Sequence, residues 1–124
     1  MQVNEVMSRD VSIASPRQSI RDAARMMAEI DAGVVPVGEN DRLVGVITDR
    51  DICMASYFRD QPPSAIDVGG TMSHNLVTAK PDDSIDTVVH LMAEKQMRRV
   101  PIVENEKLVG IVALADIARH VKSL

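Results

Sequence analysis

One pattern runs through this chain twice, offset by 65 residues without a gap: Met7 falls on Met72, Pro16 on Pro81, Ser19 on Ser84 and Met27 on Met92. Pro36 on Pro101, Gly45 on Gly110 and Asp51 on Asp116 keep the same interval. Longer blocks also coincide, Met27-Ala28-Glu29 with Met92-Ala93-Glu94 and Leu43-Val44-Gly45 with Leu108-Val109-Gly110. This is a duplicated unit, and it constrains the fold more than any bulk property does. The expected division is a first copy over 1–58, a linker over 59–67 and a second copy over 68–124. A copy of about 50 to 60 residues has a marginal core by itself, so the two copies need each other.

Each copy reads in the same order. A β-rich stretch, Val11 to Ala14 or Leu76 to Ala79, leads to a proline and then to Ser19 or Ser84. A serine there suits an N-cap, because its hydroxyl accepts from the unpaired N–H groups of a first helical turn. Apolar residues follow at Ile20, Ala23, Ala24 and Met27, and at Ile85, Val88, Val89 and Met92. That spacing gives each helix one buried face. Two apolar strands come next, Val34 to Val37 then Leu43 to Thr48, and Val100 to Val103 then Leu108 to Val112. Short polar connections make each pair a hairpin. A final helix closes each copy, from Asp49 to Tyr57 and from Leu114 to Val121.

The strands are almost continuous Val, Ile and Leu, which implies sheets covered on both faces. The expected fold class is therefore α+β: two βαββα repeats packed sheet to sheet about a pseudo-two-fold axis. Such packing leaves two related clefts, where a ligand is to be sought.

The sharpest local signal is Thr48-Asp49-Arg50-Asp51, where a buried strand turns into a helix. One reading is a capping box, with Thr48 capping the helix and Asp51 turning back to the cap amide. A second, compatible reading is a ligand site. A helix N-terminus suits a phosphate, Thr48 adds a hydroxyl, and the Asp51 carboxylate can accept from ribose hydroxyls. The second copy keeps Asp116 but has Ala113 in place of the threonine, so the two clefts should not be equivalent. Arg98 and Arg99 stand where the first copy has Gly33 and Val34. Guanidinium groups at a cleft mouth would grip phosphate oxygens in bidentate fashion.

Other chemistries find little support. His74, His90 and His120 form no ligand spacing of the HExxH kind, and no GxSxG or glycine-rich phosphate loop occurs. No catalytic set and no metal set emerges, so the chain is not expected to be an enzyme. A net charge of −4 and two aromatic residues, Tyr57 and Phe58, argue against nucleic acid. No apolar run is long enough to span a membrane. Cys53 is the only cysteine, which reads as a small buried hydrophobe in a reducing, cytoplasmic compartment.

Taken in order, Val6-Met7-Ser8 and Thr71-Met72-Ser73, Val34-Val35-Pro36-Val37 and Arg99-Val100-Pro101-Ile102, and Leu43 to Asp51 with Leu108 to Asp116 resemble a pair of CBS (cystathionine-β-synthase) domains. The likeness runs from about Glu5 to about His120 and looks like the stand-alone bacterial modules of this kind. It implies a regulatory module that binds an adenosine-containing ligand (AMP, ADP, ATP, NAD or S-adenosylmethionine) between its repeats. It further implies a homodimer and a protein effector of unknown identity. The family's Thr-x-x-Asp pattern maps onto Thr48 and Asp51, its basic residues before Val-Pro onto Arg98 and Arg99. In the second copy only Asp116 carries over. The alternative is a structural dimerisation module with vestigial clefts, for which Ala113 speaks.

Overall fold

A computed structural model describes residues 1–122 of the chain. Positions 123 and 124 of the expected second copy lie outside the described residues. Each copy contributes a helix, a hairpin and a closing helix: α1 (Ile20–Ile30), β1 (Val34–Glu39), β2 (Arg42–Thr48) and α2 (Asp49–Phe58) in the first. The second gives α3 (Ile85–Lys95), β3 (Arg99–Glu104), β4 (Lys107–Ala113) and α4 (Leu114–Lys122). The class is α+β, as expected, with antiparallel hairpins against which the helices pack.

The packing units do not follow chain order. One unit is Ser12–Leu76; the other joins Met1–Val11 to the chain from Val77 on. The expected split at 59–67 marks the duplication in sequence, but the segment that leads each copy packs into the core of the other. In the first unit Ile66 and Val68 are buried with Ile20, Val35 and Ile47, and the Val68 N–H donates to the Gln18 carbonyl at 2.8 Å. In the second, Val3 is fully buried with Val88, Val100 and Ile102. Its N–H donates to the Asp83 carbonyl at 2.9 Å, and Ile85 donates to Met1 at 3.0 Å. Apolar residues on these short segments have no core of their own to enter, so burial carries them across.

The same exchange explains why Gly45 and Gly110 recur. Val46 and Ser73 trade backbone hydrogen bonds at 3.0 and 2.8 Å, which lays Met72-Ser73 across the strand. A Cβ at Gly45 would stand 2.8 Å from both the Met72 sulfur and the Ser73 carbonyl oxygen. At Gly110 it would meet Met7 and Ser8 at the same 2.8 Å. Only glycine admits that approach.

The expected helix caps are in place. Ser19 Oγ accepts from the Asp22 N–H and Ser84 Oγ from the Thr87 N–H, each at 3.1 Å. Ile20, Ala23 and Met27 of α1, and Val88 and Met92 of α3, are buried. The leading strands are shorter than expected. Val11 to Ala14 and Leu76 to Ala79 reduce to single parallel bridges, Ala14 with Val37 and Ala79 with Ile102.

Both hairpins close through two residues in the left-handed region, Asn40 and Asp41 (φ 54° and 65°) and Asn105 and Glu106 (52° and 68°). That is the primed turn whose twist matches the flanking strands. Asp41→Gly is expected to raise stability by about 0.5 kcal/mol, since relief of left-handed strain outweighs glycine's larger unfolded-state entropy. A urea midpoint measures it, and a drop would mean that the Asp41 side chain holds the turn.

Cys53 corrects an expectation: it is exposed. Only Ala55 of α2 is buried, so the helical period turns Cys53, Met54, Tyr57 and Phe58 outward. Among the described residues no helix is long and apolar enough to cross a membrane.

Candidate functional site

The turn from β2 into α2 is built by reciprocal hydrogen bonds. The Thr48 N–H donates to Asp51 Oδ2 at 2.9 Å, and the Asp51 N–H donates to Thr48 Oγ1 at 3.1 Å. This is the capping box expected from Thr-x-x-Asp. It fixes Asp51 half-buried at the end of β2; among the described residues Asp51 Oδ1 accepts no further hydrogen bond and the Thr48 hydroxyl donates none. A ribose edge presents the matching groups, two hydroxyls that can donate to a carboxylate.

Two residues that the sequence reading passed over complete the turn. The Gly33 carbonyl accepts from the Asp49 N–H at 2.9 Å, tying the start of β1 to the start of α2. The Asp49 carboxylate then lies against Gly33, where a Cβ would come 2.9 Å from its Oδ2. Asp49 Oδ1 accepts from the Arg50 N–H at 2.8 Å. The signal for Asp49 was in the repeat itself, because its counterpart is the apolar Leu114.

The second unit builds the same junction from different side chains. The Arg98 carbonyl accepts from the Leu114 N–H at 2.8 Å, and Arg99 pairs across the hairpin with Ala113. The backbone thus brings Arg98, Arg99 and Asp116 to one strand–helix junction. Arg98 is exposed and Arg99 half-buried. Ala113 offers no cap, and the Asp116 carboxylate instead accepts from Arg119 Nη2 one turn on. Arg119 stands where the first copy has Met54, so this pair has no equivalent there. The expected inequality of the two copies therefore extends to the state of the aspartate: box-bound in one, ion-paired in the other. With Arg119 exposed and Asp116 half-buried, such a pair is worth up to about 1 kcal/mol, less than a charge-assisted bond from a ligand returns.

His90 Nδ1 lies 2.7 Å from the Asp86 carbonyl of its own helix, which ties the ring to the backbone. Among the described residues no group of three or more His, Cys, Asp or Glu side chains could hold a metal ion.

Comparison with known proteins places these junctions in context. A sequence model of the CBS domain matches residues 3–57 and again 65–123. The CBS domain-containing protein YhcV of Bacillus subtilis is 40% identical over 116 residues, covering 94% of this chain and 82% of its own. The crystal structure of Hypoxic Response Protein I with two coordinated zinc ions superposes with a TM-score of 0.86 at 34% identity, over 97% of this chain and 98% of that one. The CBS domain pair of protein MJ0100, in complex with 5′-methylthioadenosine and S-adenosylmethionine, gives 0.83 at 27% identity, over 99% and 97%.

Proposed function

This chain belongs to the CBS domain family, and we propose that it is a regulatory module that binds an adenosine-containing ligand without catalysing a reaction. The observation that carries the reading is the Thr48–Asp51 box, which holds a carboxylate half-buried with one oxygen and one hydroxyl proton still to be used. The ligand-binding residues of this reading are Thr48 and Asp51 in one unit and Arg98, Arg99 and Asp116 in the other, each junction taken by itself. At the first, Thr48 and Asp51 take a ribose; at the second, the two arginines suit a phosphate. The complex of MJ0100 with two adenosine derivatives supports the ligand class.

A thermal-shift screen tests the proposal with AMP, ADP, ATP, NAD, S-adenosylmethionine and 5′-methylthioadenosine. A ligand at a hundred times its dissociation constant adds about 2.7 kcal/mol to stability. Flat melting curves with all six would leave the alternative, a structural dimerisation module with vestigial clefts, which the loss of the threonine at Ala113 favours.

The module works as a cytoplasmic homodimer in this reading, and ligand shifts an arrangement that a protein effector reads. Such a shift requires different ligand affinities in the two arrangements. Support for a second copy comes from α2, which exposes Met54, Tyr57 and Phe58 at 45%, 81% and 71%. The two rings meet edge to face, 4.9 Å apart, and present an apolar surface. Changing Tyr57 and Phe58 together to serine is expected to turn the dimer into a monomer by sedimentation velocity. A wild-type chain that sediments as a monomer would remove the dimer from the proposal.

A further inference from the structure

Resting on the adenosine reading above, we propose that Asp49 is a specificity-determining residue, which makes the α2 turn accept an adenosine with an uncharged 5′ group and reject a 5′-phosphate. The sequence reading offered this helix start as a phosphate cradle, because first-turn N–H groups are normally unpaired. Here they are not. Thr48 N–H is held by Asp51 Oδ2 at 2.9 Å, Asp49 N–H by the Gly33 carbonyl at 2.9 Å, Arg50 N–H by Asp49 Oδ1 at 2.8 Å and Asp51 N–H by Thr48 Oγ1 at 3.1 Å. A phosphate approaching this turn finds no backbone donor unless it breaks one of these bonds.

Charge acts in the same direction. The turn carries two carboxylates, Asp49 and Asp51, against the single exposed guanidinium of Arg50. Asp49 Oδ2 makes no hydrogen bond among the described residues and lies over Gly33, beside the turn that offers Asp51 to a ribose. The dipole of α2 is already answered by these carboxylates, so a dianion there gains little from it and is repelled by them. A ribose with a neutral substituent loses nothing, since Asp51 Oδ1 and the Thr48 hydroxyl remain available. The second copy lacks this feature altogether. It has Leu114 in place of Asp49 and Arg98 in place of Gly33, so acidic screening belongs to the first copy alone.

Calorimetric titration with 5′-methylthioadenosine and with AMP tests the role in the full chain carrying Arg98→Ala and Arg99→Ala, which removes the phosphate candidates of the other unit. That parent chain should prefer the thioether. Asp49→Asn keeps an oxygen for the Arg50 N–H while removing the charge, so its ligand-free melting temperature should fall only by the small amount that one first-turn carboxylate contributes against the α2 dipole. In that variant the preference for the thioether should narrow by about fivefold, the size of one screened charge–charge term at a protein surface. A parent chain that binds AMP more tightly, or a ratio that Asp49→Asn leaves unmoved, overturns the role of Asp49 and leaves the adenosine reading standing. Failure of wild type to bind either compound removes the adenosine reading, and this inference with it.

Discussion

Deleting residues 1–8 is expected to open the unit built around β3 and β4, although those residues stand at the far end of the chain from it. The deletion removes fully buried Val3, the Met7 side chain over Gly110, and the hydrogen bonds from Val3 to Asp83, Asn4 to Pro81 and Ser8 to Ile111. Burial of a valine contributes about 2 kcal/mol, and each backbone bond about 1 kcal/mol net, so the loss is on the order of 5 kcal/mol. Whole domains are stable by only about 5 to 15 kcal/mol, and a unit this small stands near the lower end. Amide exchange measures the effect residue by residue. Protection should fall first at Val100, Ile102 and Val112, and later at Val35 and Ile47 of the Ser12–Leu76 unit. Uniform loss of protection along both hairpins, or none, would contradict the exchange of leading segments between the copies.

Asp51→Ala is expected to abolish most of the stabilisation that an adenosine ligand confers. A carboxylate that accepts from two ribose hydroxyls supplies about 1.5 to 3 kcal/mol per bond, so its removal weakens binding by roughly a hundredfold or more. A ligand present at a hundred times the wild-type dissociation constant then only matches that of the variant. The shift falls from about 2.7 to about 0.4 kcal/mol. The substitution also breaks the capping box, which costs about 1 kcal/mol in the absence of ligand. The comparison with and without ligand removes that term. Thr48→Ala separates the two roles further, because it loses the hydroxyl of the cap while the carboxylate stays. It should lower the ligand-free melting temperature similarly and retain more of the ligand shift. Equal shifts in wild type and Asp51→Ala would remove the carboxylate from the site.

Much of the candidate site was legible because its parts are local. Thr48 and Asp51 are three residues apart, and a capping box needs nothing from the rest of the chain. Ser19 and Ser84 were legible for the same reason, as were the apolar faces of α1 and α3. Asp49 was not. Its reach back to Gly33, sixteen positions earlier, follows only from the way β1 and β2 pair (Val34 opposite Thr48). Cys53 went wrong by a related route. The sequence pattern marked a helix there but could not say which of its faces would be covered, and Ala55, not Cys53, turned out to lie inward.

The gapless repeat alone determined that two like elements of helix, hairpin and closing helix would form, where their helices begin, and which residues differ between them. Local rules fix those properties, since caps, turns and apolar periods act over a few residues. Which copy each leading segment joins was decided by tertiary structure. Val3 and Met7 carry the same apolar character wherever they pack, and hydrophobic burial has no direction of its own. The backbone bonds that tie Val3 to Asp83 and Val68 to Gln18 exist only once the chain has folded back on itself, and they record which copy each segment joins.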